Sequence, residues 1–82
     1  MDYGDHIKVK KGVVDPDFPG HELTGYTGYI EGFEHGLIQI EWDERTLKNM
    51  SKEFIKLCDK ENLDHTKMSL DISDIDFIEK EK

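Results

Sequence analysis

The chain has 82 residues, 35% of them hydrophobic, with 11 Lys and Arg against 19 Asp and Glu and a net charge of -8. That length allows one domain, residues 1–82, with one small core, and the acidic balance speaks against binding to phosphate backbones. One cysteine, Cys58, leaves no internal disulfide, and no apolar run is long enough for a signal peptide or a membrane span, so a cytoplasmic setting is expected.

Asp5 to Lys10 alternates, with Ile7 and Val9 on one face and charged residues on the other, as a half-buried first strand does. Residues 11–24 hold both prolines of the chain, two glycines and three acids. They predict a long irregular loop with turns at Pro16 and Pro19, a candidate functional element in so small a domain. Tyr26 to Phe33 and Leu37 to Trp42 are the second and third strands, joined by a turn at Glu34-His35-Gly36. Gly25 and Gly28 mark a bend or bulge, with Gly28 where a side chain is poorly tolerated. Period two puts Tyr26, Gly28 and Ile30 on one face and Thr27, Tyr29 and Glu31 on the other. In the third strand Ile38, Ile40 and Trp42 form a core-facing set. Helical spacing then takes over from Asp43 to Asn62, through Leu47, Met50, Phe54, Ile55, Leu57 and Cys58. Ser51 is a natural N-cap that divides this stretch in two, and Asn62 suits the left-handed end of the second piece. Lys67 to Leu70 reads as a fourth strand with Met68 and Leu70 inward, Ser73 to Ile75 as a turn, and Asp76 to Ile78 as a last strand before the charged tail Glu79 to Lys82.

Four segments carry a resemblance: Gly4-Asp5-x-Ile7-x-Val9, Gly25-x-x-Gly28-x-Ile30, Leu37-x-Gln39-Ile40-x-Trp42, and Leu70-x-x-x-Asp74-Ile75-x-Phe77-Ile78. In this order they resemble an SH3-like barrel of the kind shared by KOW and Tudor modules. The piece from Ile40 to Met50 also resembles small uncharacterised bacterial barrel proteins with a helical insertion after a Trp-Asp pair. The resemblance implies a mainly β fold, a small five-stranded SH3-like barrel with a helical insertion at about 44–63 between strands 3 and 4. It implies no activity. The Ala-Leu-Tyr-Asp-Tyr run of signalling SH3 domains is absent, and so is the basic surface of RNA-associated KOW modules, so neither ligand is carried over.

Asp15, Asp17 and Gly20 fill positions 1, 3 and 6 of an EF-hand loop, but Pro19 stands at position 5 and Tyr26 at position 12, where the bidentate Glu is required. His6, His21, His35 and His65 never fall at ligand spacing, and a lone cysteine rules out the usual zinc sets, so neither a transition metal nor a cofactor is expected. Cys58 with His65 lacks a third orienting group, and no enzyme is expected. What remains is a non-enzymatic protein-interaction module that takes a basic or cationic ligand through its acidic loop. The expected ligand-binding residues are Asp15, Asp17, Glu22, Tyr26 and Tyr29, with carboxylates pairing Lys or Arg and a ring packing on the alkyl stem or guanidinium. The partner is then a protein or peptide with basic residues, not a nucleic acid or a membrane. The alternative is a calcium-binding regulatory protein without an EF-hand, using Asp15, Asp17 and Glu22.

Overall fold

A computed structural model describes residues 4–78, so the tail Glu79 to Lys82 lies outside the described residues. Five antiparallel strands form one sheet: β1 His6–Val9, β2 Thr27–Glu34, β3 Leu37–Trp42, β4 Lys67–Leu70 and β5 Ile75–Phe77. Their spatial order is β4-β3-β2-β1-β5, which leaves β4 and β5 as the two edges of an open sheet. Two helices, α1 Glu44–Asn49 and α2 Lys52–Lys60, stand between β3 and β4, and a 3-10 turn at Ile72–Asp74 leads into β5.

The β2–β3 hairpin follows from its turn chemistry. His35 and Gly36 both have positive φ, 52° and 78°, and Glu34 pairs with Leu37 across them. Two such residues make the tight turn whose twist matches that of the strands. The bulge in β2 falls at Glu31, since Ile30 pairs with Ile40 but Gly32 pairs with Gln39. Gly28 is no bulge. It marks a close approach instead: a Cβ there would lie 2.5 Å from the Glu41 carbonyl oxygen and 2.9 Å from Ile40 Cγ2.

Alternation in β1 and β3 buries Ile7, Val9, Ile38, Ile40 and Trp42, and Leu23, Ile30, Leu70 and Ile75 join them in the core. Over this face lies α2, whose positions i and i+4, Phe54 and Cys58, are buried. The Ser51 hydroxyl caps α2 by accepting from the Phe54 amide at 3.0 Å, and Asn62 ends the segment with φ 57°. Asp43 caps α1 by accepting from the Thr46 amide at 2.9 Å.

Thr27 departs from the expected pattern. Period two puts it outward with Tyr29, yet it is buried, because α1 folds back over this end of β2. The Thr27 amide donates to Thr46 Oγ1 at 2.9 Å, that hydroxyl donates to the Thr27 carbonyl, and Thr27 Oγ1 donates to Asp43 Oδ2. His6 Nε2 lies 3.1 Å from the same carboxylate oxygen, so the α1 cap is tied to β1 as well as β2.

Candidate functional site

The long loop between β1 and β2 is more ordered than its composition predicts. Val14 forms a β-bridge with Glu22, the Asp15 amide donates to the His21 carbonyl at 2.9 Å, and the Leu23 amide donates to the Val13 carbonyl at 2.8 Å. A narrow ribbon results, with residues 16–20 at its tip. Both prolines sit in that tip, where a missing N–H leaves no ladder bond unmade. Asp15 sets the first turn: its Oδ1 accepts from the amides of Asp17 at 2.8 Å and Phe18 at 3.3 Å. Such a turn is what the Asp-Pro-Asp sequence predicts. The side chain, however, points inward and is only 1% exposed.

Aromatic contacts fasten the ribbon to α2. His21 stacks on Phe54, with centroids 3.7 Å apart and planes at 9°, while Phe18 meets Phe54 edge-on at 5.9 Å. The other side of His21 is held by a hydrogen bond between its Nε2 and Tyr26 Oη at 2.7 Å, and Tyr26 packs edge-on against Trp42. Burial pulls the His21 pKa below its ordinary value against the opposing charge of Asp15. Burial, and after it the charge of Asp15, push the Tyr26 phenol and the Cys58 thiol upward. One carboxylate is thus felt by three groups around it.

A cleft of about 410 Å³ opens between the ribbon tip, α2 and β4, walled by Phe18, Phe54, Leu63 and Met68, with Asp15 and Cys58 also lining it. A second, of about 460 Å³, shares Asp17, Phe18 and Phe54 with the first and adds Pro19, His21, Glu53 and Leu57. Asp17 stands exposed where the two meet. Asp64, at the first cleft, is held below the usual carboxylate range by hydrogen bonds from the hydroxyl and amide of Thr66.

Oδ2 of Asp15 completes the site. No donor among the described residues reaches it, since both hydrogen bonds of the side chain go to Oδ1. Asp15 lines the cleft at 1% exposure, so its carboxylate lies at the cleft wall almost wholly out of water.

Of the five residues the sequence nominates, the fold brings Asp15 and Asp17 to one cleft and spreads the others. Glu22 is exposed on the returning limb of the ribbon and accepts from the Thr24 hydroxyl at 2.6 Å. Tyr26 is half-buried behind His21. Tyr29 is 46% exposed on the opposite face of the sheet, stacked on His6 at 4.7 Å, because strand parity turns it away from Gly28 and Ile30. The calcium trio does not converge: among the described residues no three acids, histidines or cysteines are placed to hold a metal ion. Asp15 faces inward while Glu22 is exposed and engaged with Thr24. The walls of the cleft escape a sequence reading almost wholly. Phe18 in Asp-Phe-Pro offers the one signal, an aromatic in an otherwise polar tip.

No protein-family model, curated protein or solved structure matches the chain. Among the described residues no helix is long and apolar enough to cross a membrane.

Proposed function

We propose that the protein is a non-enzymatic interaction module that captures a Lys or Arg side chain of a partner polypeptide in the cleft over Asp15. The observation that carries this reading is the buried Asp15 carboxylate at the cleft wall, whose two hydrogen bonds both come from backbone amides to Oδ1. Desolvating a carboxylate without a counter-charge is costly, and an incoming cation that pairs with it recovers much of that cost. Phe18, Phe54, Leu63 and Met68 offer apolar walls for an alkyl stem, and the rim acids Asp17 and Asp64 favour approach of a positive group. The strand order β4-β3-β2-β1-β5, with a long ribbon between β1 and β2, is what supports an SH3-like reading of this open sheet. A buried free thiol at Cys58 is in keeping with a reducing, cytoplasmic setting.

The test is a nitrogen-15 NMR titration with Nα-acetyl-arginine methylamide, using the neutral citrulline analogue as control. Saturating shifts are expected at Asp15, Phe18, Cys58 and Met68. Asp15→Asn keeps the Oδ1 acceptor of the turn while removing the charge, and should weaken binding at least about tenfold, equivalent to about 1.4 kcal/mol. Equal binding of the citrulline analogue, or unchanged affinity in the Asn variant, overturns the reading.

A further inference from the structure

The cleft has a wall made of backbone as well as side chains. β4 is an edge strand, and the groups it turns to β3 follow from its register. The Trp42 amide donates to the Thr66 carbonyl at 2.9 Å, which makes that pair a hydrogen-bonded one. In an antiparallel ladder such pairs alternate. The next are Ile40 with Met68 and Ile38 with Leu70, so Lys67 and Ser69 point their amide and carbonyl groups away from β3. The Lys67 amide donates to the Asp64 carbonyl at 3.4 Å, and among the described residues no other backbone group bonds to these outward groups. Lys67, Met68 and Ser69 all line the cleft that Asp15 lines.

We infer that the partner enters as an extended strand that adds antiparallel to the free edge of β4, with its basic side chain turned inward over Asp15. This rests on the reading of the cleft given above and adds the backbone to it. An added strand bonds to the Ser69 amide and carbonyl through the residue opposite Ser69. The Ser69 side chain lies on the outer face with Lys67, since Met68 and Leu70 take the core face. The bonding residue of the partner therefore also faces outward, and its neighbour faces inward with its own amide turned away from β4. Main-chain bonds would supply affinity and the inward cation specificity, the division of labour usual in strand addition. Lys67 does not oppose a basic partner there, because its ammonium is taken up by Glu31 at 3.2 Å. An edge of four residues bearing a Lys is a poor template for indiscriminate pairing, which leaves selection to the charge in the cleft.

The probe is the peptide acetyl-Thr-Val-Arg-Val-Thr-methylamide, with versions N-methylated singly at the Arg amide or at either Val amide. Methylating the Val amide that faces Ser69 should weaken binding at least about tenfold, and methylating the Arg amide should change it less than about threefold. Ser69→Pro deletes the edge donor without touching the β3 ladder, and should weaken the parent peptide by a larger factor than it weakens acetyl-arginine methylamide. On binding, hydrogen exchange at the Ser69 amide should slow. Should the methylated peptides all bind alike, or the Arg amide prove the sensitive one, antiparallel strand addition is wrong even if the Arg-to-citrulline change still abolishes binding. If neither peptide nor acetyl-arginine binds, both readings fall.

Discussion

Gly28 and Gly32 both lie in β2, but they differ in what an added methyl would strike. At Gly28 it meets the Glu41 backbone and the Ile40 branch, neither of which can swing aside, whereas at Gly32 it meets the end of the Gln39 side chain. Gly28→Ala is expected to destabilise by about 1–3 kcal/mol through overpacking, with Gly32→Ala costing distinctly less, as urea unfolding would read out. His21 carries a second expectation at this scale. Burial holds its folded pKa below the ordinary histidine value of about 6.5, so between those two values the unfolded chain binds more protons. Stability from this group is complete above about pH 6.5 and is lost as the pH falls through the lowered value. Acidification in that window should loosen the ribbon from α2, seen as shifts of the Phe18 and Phe54 ring protons. His21→Phe keeps the stack on Phe54 and should abolish the pH dependence.

The elements differ in how far they could be read ahead of the fold. β3 was legible residue by residue, since Ile38, Ile40 and Trp42 alternate with polar neighbours and the run begins at a turn needing two residues with positive φ. The break between α1 and α2 was legible from Ser51, a side chain that satisfies a free amide at a helix start. Ser51→Ala should therefore cost about 1 kcal/mol in thermal or urea unfolding. Thr27 was not legible, because its burial depends on α1 returning across the sheet. Nor was the inward turn of Asp15: an Asx turn is a local matter, but the burial of its carboxylate depends on the cleft walls supplied by α2 and β4, distant in the chain. Of the site, sequence supplied the two acids and the idea of a cation. The apolar walls and the free edge come from long-range packing.

At the scale of the whole molecule, charge sets two responses. A net charge of -8 on so small a chain repels itself, and raising the ionic strength from about 0.01 M to about 0.15 M shortens the screening length from about 30 Å to about 8 Å. The melting temperature should rise over that range, while affinity for the arginine probe should fall. Acid acts in the opposite sense on Asp43. Burial resists its ionisation, but hydrogen bonds from Thr27, the Thr46 amide and His6 outweigh that and draw its pKa down. The stability it contributes is present above about pH 4 and is lost as the pH falls through the lowered value. Asp43→Asn should flatten that part of an acid-unfolding curve.

The strand order also bears on how the chain is made. As the polypeptide leaves the ribosome, the hairpin of β2 and β3 can form from its own local contacts, and Ile7, Ile30, Ile40 and Trp42 emerge early on one sheet face. The residues that cover or extend that face, Phe54, Cys58, Leu70 and Ile75, are synthesised afterwards, and β1 gains its second neighbour only when β5 arrives. A nascent chain stalled before α2 would expose an adhesive apolar sheet, so chaperone contact is expected to concentrate on ribosome-bound intermediates of that length and to subside once β5 has paired with β1.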